Sequence, residues 1–345
     1  MRCVRVNEHG GPEVLRLEDR PVPAIRPDEA LVRVRACGMN HLDLWVRRGV
    51  VGHRFPLPLT PGCDTAGVVA EVGTAVPGFR PGDEVVISPG FACLRCEECF
   101  AGRHSLCRRY GIFGESRDGG DAEFVVVPGA NLVPKPANLS FVEAACVPLV
   151  FLTAWHMLVT RAGIRPGHVV LVHAAGSGVG SAAIQVGKLF GATVIATAST
   201  DAKLAKAREL GADHLVNHRE RDFADAVREI TGKRGVDIVF EHTGEATFPG
   251  SMKAVARGGT IVTCGATSGF RAEVDLRVLF FKQVSILGST MGSYGEVLEV
   301  MGHVAAGRLR PVLDRTFPLS EVAEAHRYLE SRSQFGKVVL VPGES

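Results

Sequence analysis

The chain has 345 residues, of which 46% are apolar and 22% are charged, and its formal net charge is +2 at pH 7. So small a charge gives no basic face for nucleic acid, and no run of eighteen apolar residues is present to span a membrane. Length and composition predict a globular protein of two domains whose partner is a small molecule.

Cysteine usage predicts a reducing compartment. Five of the nine cysteines are scattered singly, and the total is odd, as is uncommon in a disulfide-bonded secreted protein. The first residues, MRCVRVNEHGG, contain no apolar core of a signal peptide. We therefore expect a cytoplasmic protein.

The first third of the chain predicts β-structure. Short apolar runs such as ALVRVRACG, GVVAEVG and AEFVVVP are separated by turn signals such as VPGFRPGD. This pattern is typical of a β-rich, barrel-like domain, which we place at residues 1–135. Residues 310–345 return to short proline-flanked runs around one amphipathic helix, EVAEAHRYLE, and are expected to rejoin that domain.

Four cysteines within residues 90–110 predict a metal lobe. Cys93, Cys96, Cys99 and Cys107 follow the spacing CxxCxxCx7C in a stretch with few apolar residues. Four thiolates make a closed tetrahedral site, so the expected ion is one structural zinc. An iron–sulfur cluster and four free or disulfide-bonded cysteines are the alternatives, although the bacterial cluster motif closes after three intervening residues.

From about residue 136 the pattern changes to β-branched runs that alternate with helical periodicities. HVVLVHAA, TVIATAS, VDIVFEHTG and GTIVTCGA read as strands, and VGSAAIQVGKLFG and DAKLAKARELGA read as helices. Alternation of this kind predicts a parallel sheet with crossover helices over residues 136–309, hence an α/β fold.

The first of these strands leads into a glycine-rich turn and a helix, which predicts a nucleotide site. Glycines at this turn let the backbone approach a pyrophosphate, and the helix N-terminus offers free N–H groups. A second strand follows at the distance that a mononucleotide-binding unit requires. The residues expected to contact the cofactor are Ala175, Gly176, Ser177, Gly178, Val179 and Gly180.

The end of the second strand favours NADPH, with NADH possible. Ser199 and Thr200 stand where an NAD-binding site usually carries an acid, and Lys203 and Arg219 lie at plausible distances in sequence to bind a 2′-phosphate. Lys203 reads equally well as a solvated lysine on a helix. Thr243, after the strand VDIVFE, is a further candidate contact.

These motifs together resemble the medium-chain dehydrogenase/reductase superfamily over essentially the whole chain. Further support comes from GGPEVL, from PGCDTAGVVAEVG in the position of the superfamily's GHE-type segment, and from GDEVV before the cysteine lobe. The resemblance implies a GroES-like β-barrel-type domain and a Rossmann doubly wound parallel-sheet domain. CGMNHLDLWVRRG looks like the quinone oxidoreductase branch, whereas the four-cysteine lobe looks like the zinc alcohol dehydrogenases.

The resemblance also implies positions for a catalytic zinc, and this chain departs from them. The family's two cysteines and one histidine fall by alignment on Asn40, Leu149 and Cys63, with Asp64 in place of the nearby glutamate. Asparagine is a poor zinc ligand and leucine is none. Where the family places its proton relay, the chain has Leu42 and Trp45, which cannot take a proton from an alcohol.

A displaced metal site is the alternative, because several donors lie near those positions in sequence. Ligands displaced by three residues along a strand or helix generally point elsewhere, and each of these residues has a structural reading as a core thiol or a satisfied polar side chain. The candidate donors are Cys37, His41, Cys63, Asp64, Cys146 and His156.

The leading hypothesis is an NADPH-dependent reductase of quinones or α,β-unsaturated carbonyls that works without a catalytic zinc. Asn40 is the candidate for orienting the acceptor, His41 and Asp43 are candidate proton donors, and Trp45 is a pocket wall or core residue. A zinc-dependent alcohol dehydrogenase with altered ligands is the first alternative, and a nucleotide-binding protein without turnover is the second.

The chain is also expected to associate with itself. Members of this superfamily commonly pair through the edge strand of the nucleotide domain, and VSILGSTMG, from Val284 to Gly292, is an apolar run suited to that. We predict a homodimer or a homotetramer.

Overall fold

A computed structural model describes residues 1–343, which form two compact units. The first unit contains residues 1–149 and 292 onward, and the second contains residues 150–291, so both boundaries lie inside the segment 136–309 that was expected to form the second domain. The difference arises because the two ends of that segment, residues 136–149 and 292–309, pack within the first unit. The Asn138 side chain donates to the Val304 carbonyl at 3.1 Å, and a Cβ on Gly38 would lie 2.1 Å from the Ala145 carbonyl oxygen.

The N-terminal part of the first unit is built mainly of strands. Proline and glycine turns end most of them after a few residues, as expected from the sequence. The strands are β1 (Arg2–Val6), β2 (Leu15–Asp19), β3 (Glu29–Gly38), β4 (Asp64–Val72), β5 (Glu84–Ile87), β6 (Gly90–Phe91), β7 (Gly111–Ile112), β8 (Phe124–Pro128) and β9 (Leu132–Pro134). The helices are α1 (His41–Arg48), α2 (Glu97–Phe100) and α3 (Phe141–Ala144), with single 3-10 turns at Pro12–Val14, His104–Leu106 and Gly129–Asn131.

The second unit alternates strands and helices. Its helices are α4 (Pro148–Trp155), which begins just before the boundary and continues as a π-helix over His156–Arg161, α5 (Gly178–Leu189), α6 (Asp201–Glu209), α7 (Phe223–Ile230), α8 (Phe248–Ala254) and α9 (Leu276–Lys282). Its strands are β10 (Val169–Val172), β11 (Thr193–Ala198), β12 (His214–Asn217), β13 (Val236–Glu241), β14 (Val255–Thr263) and β15 (Ser285–Gly288).

The six strands of the second unit form one parallel sheet in the order β12-β11-β10-β13-β14-β15. The strand order reverses between β10 and β13, and ligands of doubly wound sheets bind at the carboxyl ends of the strands at such a point. The core contains Leu171, Ile195, Val239 and Ile261, one from each of the four central strands. The predicted Rossmann architecture is confirmed.

The chain then returns to the first unit through α10 (Tyr294–Ala305), β16 (Leu313–Pro318), a 3-10 turn at Leu319–Glu321, α11 (Val322–Glu330) and β17 (Lys337–Val341). Strand β3 is the centre of its seven-stranded sheet, because it pairs antiparallel with β4 along most of its length and with β8 and β17 near its two ends. The pairing of β17 with Cys37 and Gly38 brings the C-terminal strand beside the start of α1. The GroES-like part of the fold prediction is confirmed.

One helical segment, residues 141–161, is long and apolar enough by length and composition to cross a membrane. In this fold 72% of its most apolar window is buried inside the protein, as is usual for a core helix.

Candidate active site and metal lobe

The four cysteines of the lobe converge as their spacing predicts. The Sγ atoms of Cys96 and Cys99 are 3.5 Å apart, those of Cys93 and Cys107 are 3.5 Å apart, and Cys93 and Cys99 are 3.9 Å apart. A tetrahedral zinc with bonds of about 2.3 Å places its sulfur ligands about 3.8 Å from one another. The lobe therefore fits one zinc ion with all four coordination positions filled by protein.

Backbone N–H groups of the lobe point at two of the four sulfurs, whereas burial raises the pKa of the Cys99 thiol to about 12. The backbone N–H of Arg95 is the main cause that lowers the pKa of Cys93 to about 6, and the N–H of Arg109 donates to the Cys107 sulfur at 3.3 Å. The lobe also contacts a residue outside it: the His104 ring packs edge-on to Tyr294 of α10. The Tyr294 hydroxyl in turn donates to the Asn131 side chain.

The nucleotide turn of the second unit begins directly after β10. Ser177 caps α5, because its Oγ accepts from the Gly180 N–H at 2.9 Å. A Cβ on Gly180 would lie 2.5 Å from the Ala174 carbonyl oxygen, so the turn can be this tight only with glycine there. The Ala175 N–H bonds to the Thr197 carbonyl of β11, while Gly176, Gly178 and Val179 complete the predicted cradle at the helix N-terminus.

A buried polar network lies beneath this turn. His173, the residue after β10, places Nε2 3.0 Å from the Ser251 hydroxyl and Nδ1 3.4 Å from the Thr197 hydroxyl. Glu241 accepts hydrogen bonds from the backbone of Thr243 and Gly244 and from Ser251. Burial lowers the pKa of His173 to about 4, so its imidazole is neutral at pH 7. Thr243 follows the carboxyl end of β13, and β13 is the neighbour of β10, the strand that leads into the nucleotide turn.

The residues expected to choose between NADPH and NADH lie after β11. Ser199 is half-buried, and Thr200 caps α6 by accepting from the Lys203 N–H at 3.4 Å. Arg219 is exposed after β12, and its N–H donates to the Asn217 side chain. The structure adds an acid that was not predicted for this region: Asp201 accepts from Asn217 Nδ2 at 3.0 Å.

In the first unit, a buried cluster occupies the positions that align with catalytic zinc ligands. Lys337 Nζ lies 2.7 Å from Asp64 Oδ2 and 2.6 Å from Asn40 Oδ1. Asn40 Nδ2 donates to Asp64 Oδ2 at 2.9 Å and contacts the Cys63 sulfur at 3.4 Å. The Asp64 Oδ1 atom accepts the backbone N–H of Leu149 at 2.7 Å. Asn40 is therefore committed through both side-chain atoms to partners within the protein.

The thiols near this cluster favour their protonated forms. Burial, followed by the charges of Asp64 and Asp43, raises the pKa of the Cys63 thiol well above its ordinary value. Burial raises the pKa of Cys146 to about 12, and its thiol donates to the Val142 carbonyl. Within residues 1–343, the cysteine lobe is the one group of three or more His, Cys, Asp or Glu side chains whose donor atoms converge within 4.8 Å.

The other predicted catalytic residues have identifiable local contacts. Asp43 is buried and accepts from the backbone N–H groups of Asn40 and Gly62, at 2.7 and 3.3 Å, so it fastens the start of α1. The rings of His41 and Trp45 meet edge-on at 5.1 Å, and Trp45 also packs against a small apolar cluster that contains Phe55. Their catalytic roles remain predictions.

Asp121 is a second buried carboxyl group in this region. Both of its oxygens lack a hydrogen-bond partner of normal geometry. The nearby Cys37 thiol lowers the pKa of Asp121 slightly, against the larger effect of burial. Burial and the neighbouring Asp43 raise the pKa of Asp121 to about 8, and burial raises that of Asp43 to about 6. Asp121 is therefore mostly a neutral acid at pH 7.

Lys337 and Asp121 were missed at the sequence level. The only available signal for Lys337 was a lone charge at the start of the apolar run KVVLV, and Asp121 lay in a glycine turn without any motif. Lys337 reaches Asn40 and Asp64 because β17 pairs with β3, which is distant from it in sequence.

Two family models match the chain in agreement with its two units. The alcohol dehydrogenase GroES-like domain matches residues 26–137, and the zinc-binding dehydrogenase model matches residues 178–306. These matches fall on the β-rich unit with its cysteine lobe and mainly on the parallel-sheet unit, respectively.

Known proteins resemble the chain over nearly its whole length. It is 31% identical over 351 residues to a quinone oxidoreductase of Pongo abelii, with 99% of this chain and 98% of the relative covered. It is 34% identical over 374 residues to a crotonyl-CoA reductase of Streptomyces avermitilis, with 96% and 83% covered. A crystal structure of an NAD-dependent alcohol dehydrogenase shares 53% identity with a TM-score of 0.96, covering 99% of this chain and 100% of that one.

Sequence and structure thus agree on both units, on the nucleotide turn and on a lobe able to bind zinc. The chain belongs to the medium-chain dehydrogenase/reductase superfamily and is an NAD(P)H-dependent oxidoreductase.

Proposed function

We propose that this enzyme reduces an activated double bond, in a quinone or an α,β-unsaturated carbonyl compound, with NADPH and without a catalytic zinc. One observation carries the metal-free part of the proposal. Lys337 Nζ bonds to Asp64 and Asn40 at the positions that align with the family's metal site, and Leu149 contributes only a backbone N–H there.

The chemistry of such acceptors explains why a metal is dispensable. When bound, the reduced nicotinamide supplies the hydride. The acceptor gains hydride at its β-carbon, the electron pair of the double bond moves toward the carbonyl oxygen, and a proton then adds to the α-carbon. An alcohol, by contrast, must lose a hydroxyl proton while it loses hydride, and for that step a Lewis acid and a proton relay matter most.

The chain's own part is binding and orientation. The start of α5, at Gly178 and Val179, would offer backbone N–H groups to a pyrophosphate, and the cap by Ser177 fixes this end of the helix. Asn40 is positioned by three partners, Lys337, Asp64 and the Gly38 carbonyl, so we assign it the orientation of the segment that opens α1. His41 is the proposed proton donor on that segment.

The choice of nucleotide is proposed as NADPH, with NADH as the second candidate. Small hydroxyl residues after β11, with Lys203 and Arg219, support the phosphorylated cofactor. Asp201 at the start of α6 and the 53% identity to an NAD-dependent alcohol dehydrogenase support NADH.

Two measurements test the proposal. Elemental analysis of untagged, dialysed enzyme is expected to give one zinc per chain, held by the cysteine lobe. Steady-state assays with both nucleotides are then expected to show oxidation of NADPH with a simple enone or quinone, and no reduction of NADP with primary or secondary alcohols. Two zinc ions per chain together with alcohol turnover would contradict the proposal.

The second candidate is a zinc-dependent alcohol dehydrogenase with altered ligands. The retained cysteine lobe and the similarity to an alcohol dehydrogenase structure favour it. It requires a second metal ion near Cys63, so the same zinc analysis separates it from the leading proposal.

We further propose that the enzyme is a homodimer at least. Strand β15 is at the edge of the described sheet, and large apolar side chains are exposed on it and on α9. Leu276, Phe280 and Phe281 are each 60% exposed or more, and Ile286 is 37% exposed.

All nine cysteines are free thiols in the structure, which supports a cytoplasmic setting.

A further inference from the structure

Lys337 is bound by a complete set of acceptors. Its Nζ atom lies 2.7 Å from the Met39 carbonyl oxygen, 2.6 Å from Asn40 Oδ1 and 2.7 Å from Asp64 Oδ2. An ammonium group carries three N–H bonds and has no acceptor. All three are therefore used, and the group is held as a fixed point charge within the protein.

The pair of Lys337 and Asp64 is shut off from water. The side chains are 3% and 0% exposed, and a charge at such a depth persists only when it is paired. Burial alone would lower the pKa of Lys337, but the charge and hydrogen bond of Asp64 raise it overall, so the ammonium form is favoured at neutral pH. The negative charge of Asp64 is balanced without any ion from solvent.

The contacts of Asp64 occupy three of the roughly four acceptor positions of its carboxylate and leave one position, on Oδ1. Oδ2 accepts from Lys337 and from Asn40 Nδ2, and Oδ1 accepts the Leu149 N–H. The adjacent Cys63 thiol is fully buried and contacts Asn40 Nδ2 at 3.4 Å. A divalent ion bound to Asp64 would meet the fixed Lys337 cation 2.7 Å from the carboxylate.

We propose that the Lys337 ammonium is an internal replacement for a metal ion: it organises Asn40 and Asp64 at the positions where related dehydrogenases hold zinc, and it excludes divalent cations from the Cys63–Asp64 segment. This inference rests on the proposed metal-free function and adds the residue responsible for it. Lys337 is a positioning residue, because all of its N–H groups point at protein atoms.

A purely structural salt bridge makes a different prediction. If Lys337 only stabilises the fold, its removal lowers stability and leaves the metal content unchanged. If it takes the place of a metal, its removal leaves Asp64 uncompensated beside Cys63, and a divalent ion gains a site that the native chain does not have.

The test uses cobalt(II) as the probe, added to protein whose cysteine lobe is already filled with zinc. The variants are Lys337→Gln and Lys337→Met, each compared with wild type by ion content and by the absorption of a cobalt–thiolate bond. We expect one metal ion per chain in wild type and two in each variant, with the new absorption lost when Cys63→Ser is added. Lys337→Arg, which keeps the charge, is expected to stay at one.

A matched control is Lys135→Met. The Lys135 side chain is 5% exposed, belongs to the same unit and pairs with Glu84 at 3.1 Å, but it is not near Cys63 in the sheet order. This variant is expected to bind one ion. A second ion in it would show that any lost buried lysine admits metal, and would overturn the specific role of Lys337.

The remaining outcomes decide between the two proposals. Folded Lys337 variants that bind one ion overturn the inference and leave the proposed metal-free reduction standing. A second ion in wild type overturns both. Should the Lys337 variants not fold, Asn40→Cys in the otherwise native chain decides: it adds a thiol beside Cys63 while Lys337 remains, and uptake of a second ion there overturns the inference, whereas one ion supports it.

Discussion

The Nε2 atom of His173 lies 3.0 Å from Ser251 Oγ, and this hydroxyl donates to Glu241 Oε2 at 2.9 Å. All three side chains are buried, and His173 directly precedes Ala174, which has a positive φ of 45°. A non-glycine residue in that conformation is strained and persists where its surroundings fix it. The network therefore links the carboxyl end of β13 to the shape of the nucleotide turn.

Ser251→Ala is expected to weaken both stability and nucleotide binding. The change leaves His173 Nε2 without its partner, which costs about 1–3 kcal/mol for a buried group, and removes one hydrogen bond to Glu241 Oε2, which still accepts from the Thr247 hydroxyl. Urea unfolding measures the stability, and quenching of protein fluorescence measures the Kd for NADPH. Ser285→Ala, an exposed serine of the same unit, is the control and should change neither. A loss of stability with an unchanged Kd would limit the network to a structural role.

Asp121→Asn is expected to make the protein more stable at alkaline pH. The folded-state pKa of Asp121 is raised to about 8 by burial and by Asp43, so the acid binds a proton more tightly in the folded than in the unfolded chain. The protonated acid therefore contributes to the free energy of unfolding. This contribution is complete below the unfolded pKa of about 4 and is lost as the pH rises through about 8.

The measurement is the free energy of unfolding of both proteins between pH 6 and pH 9. Asparagine resembles the protonated acid and does not ionise, so the advantage of the variant should grow with pH by about 1 kcal/mol per unit until the pH exceeds about 8. Asp118→Asn, whose side chain is 61% exposed, serves as the control. A constant difference across this range would show that Asp121 is ionised throughout.

Local spacing explains which parts of the site were predictable from the sequence. The cysteine lobe and the turn 175–180 are each formed by residues close together in the chain, so their spacing alone specifies their geometry. The contact between Asp64 and Lys337 joins residues 273 positions apart and exists because β17 pairs with β3. The sequence near Asp64 or Lys337 contains no pattern that predicts this contact.

The same reasoning explains why Asn40 was only partly understood. Its departure from a zinc ligand was evident from the resemblance to the family. Its partners were not, because Lys337 and Cys63 reach it from separate strands and segments. Domain boundaries were misplaced for a related reason: α3 and α10 have helical patterns but pack on the β-rich unit.

Cys99→Ser is expected to remove the lobe's zinc and to lower the melting temperature. Cys99 is 7% exposed and its sulfur lies 3.5 Å from that of Cys96, so oxygen in its place opens the thiolate shell. Between Cys93 and Cys107 the regular structure consists of the four-residue α2 and a 3-10 turn. Because structural zinc contributes directly to folding, we expect a drop of several degrees, about 2–4 °C for each kcal/mol lost.

Zinc content by elemental analysis and Tm by calorimetry check this together. Cys264→Ser, a cysteine of the second unit outside the lobe, should keep both values. Full zinc content in Cys99→Ser would show that three thiolates suffice.

Asp201→Asn is expected to improve the use of NADPH relative to NADH. The Asp201 carboxylate lies at the start of α6, where a 2′-phosphate is expected, and it accepts from Asn217. Removing one exposed charge contributes up to about 1 kcal/mol, so KM for NADPH should fall by roughly two- to fivefold while KM for NADH stays the same. Lys203→Met should act in the opposite direction.

Steady-state kinetics with one acceptor and both nucleotides measure the effect, with Glu273→Gln as an exposed acidic control. Equal changes in KM for NADPH and NADH would place Asp201 away from the phosphate.

Ile286→Lys is expected to dissociate the proposed dimer. Ile286 lies in β15 at the edge of the sheet, and a lysine on an edge strand opposes pairing with a second strand by charge repulsion and desolvation. Light scattering should change from the mass of at least two chains to that of one, with the helical content of the variant unchanged by circular dichroism. Leu298→Lys, a 58% exposed leucine on α10 of the other unit, is the control and should remain associated. A wild-type mass of one chain, or an Ile286→Lys variant that stays associated, would show that β15 is not the contact.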